Sequence, residues 1–217
     1  MKRALFFDID GTLLVAPGAG RSAFAQAIED VFDLNVDMRP INFAGATDMG
    51  VVTTLLDEHA CAYSQEQLKA FFHRLSVHLE ANLLNRSPEL YPGVFAFLER
   101  AADAYPFALV TGNARRCAEL KLQHTGIDHF FTMVGGYGDD DACRIRMTEL
   151  AMERINVREG YLFGDTPRDI QAAKATGLIA VAVTTGAYDY HQLAKHDPDV
   201  IIESFEQAEE LMKELGL

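Results

Sequence analysis

Residues 4–12 read Ala4-Leu5-Phe6-Phe7-Asp8-Ile9-Asp10-Gly11-Thr12, an apolar run that ends in two carboxylates and a glycine. The apolar part has the length and composition of a buried strand. Side chains two apart on a strand point the same way, so Asp8 and Asp10 are expected side by side at its end, where Gly11 lets the chain turn away. Adjacent carboxylates repel each other unless a cation offsets their charge. The stretch therefore favours a divalent-metal site, with nucleophilic and acid–base roles divided between the two acids, over an ordinary Asp-rich turn.

Two later apolar runs end in the same way. The first is Leu109-Val110-Thr111-Gly112-Asn113, whose hydroxyl, glycine and following N–H groups suit a phosphate, although a plain helix cap uses the same residue types. The second is Phe163-Gly164-Asp165-Thr166-Pro167-Arg168-Asp169, where proline suits the first helical position. Its two aspartates are four residues apart, so both carboxylates face one point at the start of a helix. Mg²⁺, which prefers hard oxygen ligands, would stabilise them there.

Strands and helices alternate along the chain from residue 107 onward. Strands are predicted at 107–110, 130–134, 161–163, 179–183 and 200–202, and helices at 114–123, 146–154, 167–175 and 205–215. Such alternation indicates a parallel sheet with helices on both faces. We therefore predict an α/β fold with a Rossmann-like, doubly wound parallel sheet as its core.

The segment between the first strand and about residue 91 has a different pattern. Helices are predicted at 22–32, 48–60 and 64–84, the last opened by a capping box at Ser64 and Gln67, and no convincing strand lies among them. Pro and Gly residues mark the exit from the first strand and the return to the core. We predict a core domain of residues 1–14 and 92–217, and an inserted all-helical cap subdomain of residues 15–91.

Composition excludes several classes of partner. The 217 residues carry a formal net charge of −13, which argues against a nucleic-acid or anionic-membrane partner because both need clustered Lys and Arg. No apolar run approaches the ~20 residues that a membrane span needs. The three cysteines, Cys61, Cys117 and Cys143, are widely spaced and form no CxxC pair, as expected for reduced thiols in a cytoplasmic protein.

Taken together, the three strand-end motifs resemble those of the haloacid dehalogenase-like hydrolases, in particular the phosphoglycolate phosphatase-like branch with a helical cap. The resemblance extends over essentially the full length. It implies that Asp8 is a nucleophile that forms an aspartyl-phosphate. It also implies that Asp10 protonates the leaving group and then activates water, while its backbone carbonyl binds Mg²⁺.

The same resemblance assigns the remaining motif residues. It makes Asp165 a metal ligand and Asp169 its support, which gives a predicted metal set of Asp8, Asp10, Asp165 and Asp169. The predicted phosphate-binding residues are Thr12, Thr111, Gly112 and Asn113.

One residue of the family pattern is missing. A Lys usually lies about two dozen residues before the acidic motif and neutralises the nucleophile and the phosphate, but no Lys occurs between Lys121 and Lys174. Arg144 and Arg146 lie in the corresponding stretch, and Arg keeps its charge and binds phosphate bidentately. Arg144 is closer to the expected position and is the predicted catalytic cation, with Arg146 as the alternative.

A turn in the cap, Phe43-Ala44-Gly45-Ala46-Thr47-Asp48, is either a simple helix cap or part of the substrate site. Gly45, Thr47, Asp48 and Arg146 are therefore candidate substrate residues. The predicted function is Mg²⁺-dependent hydrolysis of a small phosphorylated metabolite by a monomer or homodimer. A phosphomutase of the same fold and a non-catalytic phosphate-binding module are the alternatives.

Overall fold

A parallel sheet forms the centre of the computed structural model, which describes residues 3–207, 210, 212 and 213. The strands in chain order are β1 (Ala4–Phe7), β2 (Leu14–Val15), β3 (Glu89–Leu90), β4 (Phe107–Val110), β5 (Gly135–Gly136), β6 (Gly160–Gly164), β7 (Ile179–Val183) and β8 (Val200–Ile202). Six of them form one sheet in the order β5-β4-β1-β6-β7-β8, and every neighbouring pair in it is parallel. The predicted α/β fold with a doubly wound parallel sheet is confirmed.

The strand order brings the predicted motifs to one edge of the sheet. β1 lies between β4 and β6, and Phe7 is in register with Leu109 on one side and Phe163 on the other. The chain reverses its direction of winding at β1, and in such sheets ligands bind outside the carboxyl ends of the strands at this point. Asp8, Thr111 and Asp165 follow the three central strands there.

Helices cover both faces of the sheet and form the insertion. They are α1 (Ala19–Phe32), α2 (Asp48–Glu58), α3 (Gln65–Asn85), α4 (Val94–Ala101), α5 (Arg115–Thr125), α6 (Arg144–Ile155), α7 (Pro167–Thr176) and α8 (Tyr190–Ala194). Alternate residues of β1 enter opposite cores: Leu5 and Phe7 pack in one hydrophobic cluster, and Ala4 and Phe6 in the other. The Phe7 ring stacks on that of Phe163, with centroids 5.0 Å apart, directly below the strand ends. This packing fixes the position of the polar edge above it.

Helices α1, α2 and α3 lie in the inserted segment, called the cap below, and their apolar faces form a second cluster around Phe24 and Phe71 that also takes in Cys117 and Leu120 of α5. The predicted capping box at Ser64 is present at the start of α3. At the stem of the insertion β2 and β3 pair as a short antiparallel ribbon, which the sequence does not predict. The division into a core of residues 1–14 and 92–217 and a cap of residues 15–91 stays a prediction, and this ribbon lies at its boundary.

One predicted strand is wrong. The apolar run 130–134 follows a 3-10 turn at Asp128–Phe130, Met133 has a left-handed φ of 54°, and the strand β5 lies at Gly135–Gly136 instead. Phe131 is buried in the core from this irregular segment, so its apolarity reflects packing and not a strand. A Cβ on Gly135 or Gly136 would overlap the neighbouring backbone, which explains why two glycines form this strand.

Of the last predicted helix, 205–215, residues 208, 209, 211, 214 and 215 lie outside the described residues. Its first residues, Phe205–Gln207, form a 3-10 helix, and residues 210, 212 and 213 are helical. Among the described helices, none has both the length and the apolar composition that crossing a bilayer requires.

Candidate active site

Three buried carboxylates meet at the carboxyl ends of β1 and β6. Asp8, Asp165 and Asp169 are between 2% and 5% exposed, and each offers an oxygen within 4.8 Å of the others. Asp169 is fixed by a capping box at the start of α7, where its Oδ2 accepts hydrogen bonds from the Thr166 N–H at 3.1 Å and from the Thr166 hydroxyl at 2.6 Å. The sequence-predicted pair of strand-end motifs therefore converges on one point.

The carboxylates of this cluster are difficult to ionise together. Burial raises the pKa of Asp8 to about 6, with Arg144 opposing the shift and Asp169 adding to it. Burial, followed by the charges of Asp8 and Asp169, raises the pKa of Asp165 to about 8. Like charges at close range in a desolvated site have this effect, and a bound cation reverses it.

Close approach of the backbone shapes the pocket around Asp165. A Cβ on Gly11, which has a φ of +84°, or on Gly186 would overlap the Asp165 carboxylate. The Thr12 hydroxyl donates to Asp165 Oδ1 at 3.3 Å, and the Thr185 hydroxyl donates to the Gly11 carbonyl at 2.6 Å. These contacts hold the loops after β1 and β7 against the acidic motif.

Arg144, the first residue of α6, enters the cluster from the side of β4. Its Nη2 lies 2.8 Å from Asp8 Oδ1 and 2.5 Å from Asp169 Oδ1, and it donates to the Val110 carbonyl at 3.0 Å. Burial disfavours its charge, but Asp169 and Asp8 outweigh that effect and raise the pKa of the guanidinium. Among the residues that the structure describes, its Nε has no hydrogen-bond partner. Arg144 thus offers a fixed positive charge and a free donor next to Asp8.

Arg146 does not reach this cluster, so its expected contribution to the site is corrected. Its side chain is about half exposed and pairs with Glu149 at 3.0 Å and Glu153 at 3.5 Å. Two residues along a helix correspond to a rotation of roughly 200°, which turns Arg146 to the solvent when Arg144 faces inward.

Asp10 turns away from the other three acids and meets a residue that the sequence does not predict. Lys121 Nζ, on α5, donates to both carboxylate oxygens of Asp10, at 2.7 and 2.6 Å, and to Asn113 Oδ1 at 2.6 Å. Burial disfavours the charge of Lys121, but Asp10 raises its pKa above the usual value. A sequence signal exists: Lys121 follows Cys117 by one helical turn, on the buried face of α5.

The predicted phosphate-binding residues differ in position. Gly112 and Asn113 line the cavity described below, whereas Thr12 and Thr111 are fully buried behind it. The side-chain amide of Asn113 donates to Asp10 Oδ2 at 2.7 Å and to Thr111 Oγ1 at 2.8 Å. The side chain of Asn113 therefore holds Asp10, while its backbone N–H donates to Thr111 Oγ1 at 3.3 Å and its carbonyl accepts from the Gly138 N–H at 2.7 Å.

The cap turn joins the cap to the core. The Thr47 side chain caps α2 through the Gly50 N–H and donates to the Ala142 carbonyl at 3.2 Å. Asp48 accepts from the Ala114 N–H at 2.7 Å, and burial raises its pKa to about 7. The Gly45 carbonyl accepts from Arg168 at 3.3 Å. Gly45 and Asp48 also line the cavity, and Thr47 serves the junction.

A cavity of about 400 Å³ lies between the core and the cap. Asp8, Asp10 and Asp165 lie on its core side, and Arg21 and Phe43 lie on its cap side. The Arg21 guanidinium carbon is 4.9 Å from the centre of the Phe43 ring, and its Nη1 donates to the Ile41 carbonyl at 3.0 Å. The cavity therefore has an acidic floor and a mixed aromatic and cationic roof.

The comparison with protein families agrees with this arrangement. The family described as haloacid dehalogenase-like hydrolase matches residues 5–183, which contain every residue of the cluster. The chain is a haloacid dehalogenase-like hydrolase. The resemblance inferred from the three strand-end motifs is confirmed, as is its phosphoglycolate phosphatase-like branch.

Relatives of this hydrolase cover nearly its whole length. It is 31% identical over 212 residues to a phosphoglycolate phosphatase from Synechococcus elongatus, which covers 93% of both chains. It is 27% identical over 215 residues to the probable phosphatase IndB of Dickeya dadantii, over 95% of this chain and 92% of that one. A solved structure of a predicted phosphatase from Clostridium acetobutylicum has a TM-score of 0.74 at 20% identity over 100% of both chains, a likeness of fold.

The donor set of the cluster fits a hard divalent cation. Asp8, Asp165 and Asp169 supply only carboxylate oxygens, the ligands that Mg²⁺ prefers, and these oxygens lie within 4.8 Å of one another. The Asp10 carboxylate is held by Lys121, so its side chain is not part of this set.

Proposed function

We propose that this hydrolase is a Mg²⁺-dependent phosphatase that cleaves small phosphate monoesters through an aspartyl-phosphate on Asp8. The observation that carries the proposal is the buried cluster of Asp8, Asp165 and Asp169, with Arg144 against Asp8, at the floor of the cavity. Such a cluster concentrates negative charge at the place where a phosphoryl dianion must bind. The dianion can bind there only if a cation offsets the charge of the carboxylates. Mg²⁺ held by Asp8 and Asp165, with the Asp10 carbonyl as a further ligand and Asp169 in support, would supply that charge.

In the first step an Asp8 carboxylate oxygen attacks phosphorus, the ester P–O bond breaks, and the phosphoryl group remains on Asp8. Arg144 offsets the charge of the phosphoryl oxygens through its guanidinium, whose Nε is a free donor. The backbone N–H of Gly112, which lines the cavity, is proposed to hold the same oxygens. These groups would be in position before the reaction starts. Such positioning of charges and donors is the main source of catalysis in phosphoryl transfer.

Asp10 acts as the general acid and then as the general base. It gives a proton to the departing alkoxide in the first step, and in the second it takes a proton from the water that attacks phosphorus and releases inorganic phosphate. Asp10 is about two-fifths exposed into the cavity, unlike the three buried acids, so it can reach the leaving group. The Asp8 carboxylate is regenerated at the end of the cycle.

The cavity limits the substrate to a small metabolite. Its 400 Å³ hold a phosphate and a modest leaving group, which would lie toward Arg21 and Phe43. The similarity to phosphoglycolate phosphatases makes 2-phosphoglycolate one compound to test, and Gly45 and Asp48 remain candidate substrate contacts. We propose action in the cytoplasm, as expected for a chain whose cysteines are free thiols, by a monomer or homodimer.

A screen of phosphorylated metabolites, with Mg²⁺ and with excess chelator, tests this proposal. Release of inorganic phosphate that depends on Mg²⁺ and is absent in Asp8→Asn is the expected result. Conversion of a sugar phosphate to its isomer without phosphate release would instead indicate a phosphomutase. Binding of phosphate esters without turnover of any of them would indicate a non-catalytic module.

A further inference from the structure

Lys121 has the contacts of a functional residue, although no motif of the family pattern includes it. Its side chain is 5% exposed, and its ammonium group lies at the wall of the cavity. Three oxygens surround Nζ within 2.7 Å: both carboxylate oxygens of Asp10 and the side-chain oxygen of Asn113. A buried lysine with this many short contacts is unusual, because burial alone disfavours its charge.

These contacts use the whole hydrogen-bonding capacity of Lys121. An ammonium group has three N–H donors, and three acceptors receive them here. No donor is left for a substrate, so Lys121 acts through its neighbours. Asn113 closes the network, since its amide donates to the same Asp10 carboxylate at 2.7 Å.

The network ties Asp10 to rigid elements. Asn113 lies two residues before the start of α5, and Lys121 lies on the buried face of that helix. Both side chains contact the Asp10 carboxylate. Asp10 follows β1 on a loop, and its side chain is otherwise open to the cavity. Without Lys121, the carboxylate would keep one partner on one oxygen and would rotate more freely.

We propose that Lys121 is a positioning residue that holds the Asp10 carboxylate toward the leaving-group side of the cavity, away from the Asp8, Asp165 and Asp169 cluster. This inference rests on the proposed function, in which Asp10 protonates the leaving group. Proton transfer requires hydrogen-bond distance and alignment, and a misplacement of about 1 Å can cost roughly 10²-fold. Lys121 therefore contributes most to the turnover of substrates whose leaving group must be protonated by Asp10.

The test is Lys121→Met, which keeps the length and apolar stem of the side chain and removes its charge. For an alkyl phosphate, kcat should fall by roughly ten- to a hundredfold, with KM changed by less than about threefold, because binding of the phosphoryl group does not use Lys121. For p-nitrophenyl phosphate, whose leaving group needs little protonation, the fall should be several times smaller. Lys174→Met, which removes an exposed lysine paired with Asp197, is the matched control and should leave both substrates unaffected.

A double variant separates positioning from a structural role. If Lys121 acts through Asp10, then Asp10→Asn combined with Lys121→Met should be no slower than Asp10→Asn alone. Losses that multiply, or an equal loss for both leaving groups, would overturn the proposal. Lys121→Gln serves the same comparison if the Met variant does not fold, and unfolding of both variants would mean that Lys121 is needed for the fold and would also overturn it. Absence of Mg²⁺-dependent phosphatase activity in the wild type would be a failure of the proposed function itself.

Discussion

Replacing Arg144 with Met tests how much the positive charge of Arg144 stabilises the acidic cluster, because Met retains the apolar stem of the side chain and removes the charge. The guanidinium is 6% exposed and lies 2.8 Å from Asp8 and 2.5 Å from Asp169. Removing one partner of a buried ion pair costs about 3–5 kcal/mol of folding free energy, since it leaves a buried charge uncompensated. For a chain of this size, the melting temperature should fall by roughly 6–20 °C.

The same variant should lose turnover. A charge-assisted contact to the nucleophile and the phosphoryl group contributes on the order of 1.5–3 kcal/mol, which corresponds to a ten- to hundredfold loss in kcat. Arg146→Met on the same helix is the control: it removes exposed ion pairs with Glu149 and Glu153, so neither the melting temperature nor kcat should change measurably.

Thermal unfolding in the absence of Mg²⁺ and steady-state kinetics at saturating Mg²⁺ measure the two effects. A stable, fully active Arg144→Met variant would refute the electrostatic account of the cluster. So would equal losses in the Arg144 and Arg146 variants.

Two further predictions concern pH. The pKa values of Asp8 and Asp165, about 6 and about 8, lie above the ordinary 3.8, so the metal-free protein should lose stability as the pH rises from about 4 to about 8. The proposed Mg²⁺ ion requires the ionised cluster, so it should raise the melting temperature more at pH 8 than at pH 5, and an equal rise at both would contradict the assignment of the site. Asp48→Asn keeps an acceptor for the Ala114 N–H but cannot ionise. The pKa of Asp48 is raised to about 7, so the wild type loses part of its folding free energy as the pH rises from 5 to 8.5, and the variant does not. Denaturant unfolding at pH 5 and pH 8.5 should therefore show that the stability of the variant, relative to the wild type, is greater at pH 8.5. A difference that is the same at both pH values would contradict this prediction.

The sheet and the acidic cluster were predictable because their signals are local. Each of β1, β4, β6 and β7 is a run of four or five residues without charged side chains, and the motif residues lie at the carboxyl ends of β1, β4 and β6. Parallel pairing then brings the ends together without further information. Asp8, Asp165 and Asp169 thus converge as their places in sequence suggest.

The remaining features depend on tertiary contacts. β5 consists of Gly135 and Gly136, where the neighbouring backbone lies too close for a Cβ atom. Glycine is depleted in strands, so this pair does not indicate a strand in the sequence. Two helices, α4 and α8, are not among the predicted elements, although α4 has a regular apolar spacing after Gly93. The ion pair of Lys121 with Asp10 joins residues 111 positions apart, so the local signal, the place of Lys121 on the buried face of α5, does not identify its partner.

Which of Arg144 and Arg146 faces the acidic cluster depends on how helix α6 is rotated about its axis. Both residues are cationic and two positions apart, and only the docking of α6 against β4 and β5 determines which one faces the cluster. The structure places Arg144 there, 34 positions from the Val110 carbonyl that it contacts.

The central claim is covalent catalysis by Asp8, and rapid quenching during turnover tests it most directly. Wild-type enzyme mixed with a substrate and Mg²⁺, quenched in acid and analysed by peptide mass spectrometry, should carry one phosphoryl group on Asp8. The adduct should be absent from Asp8→Asn and should accumulate in Asp10→Asn with an activated aryl phosphate, because the second step then lacks its base. Full phosphatase activity in Asp8→Asn, or a phosphoryl group found on a different residue, would contradict the account.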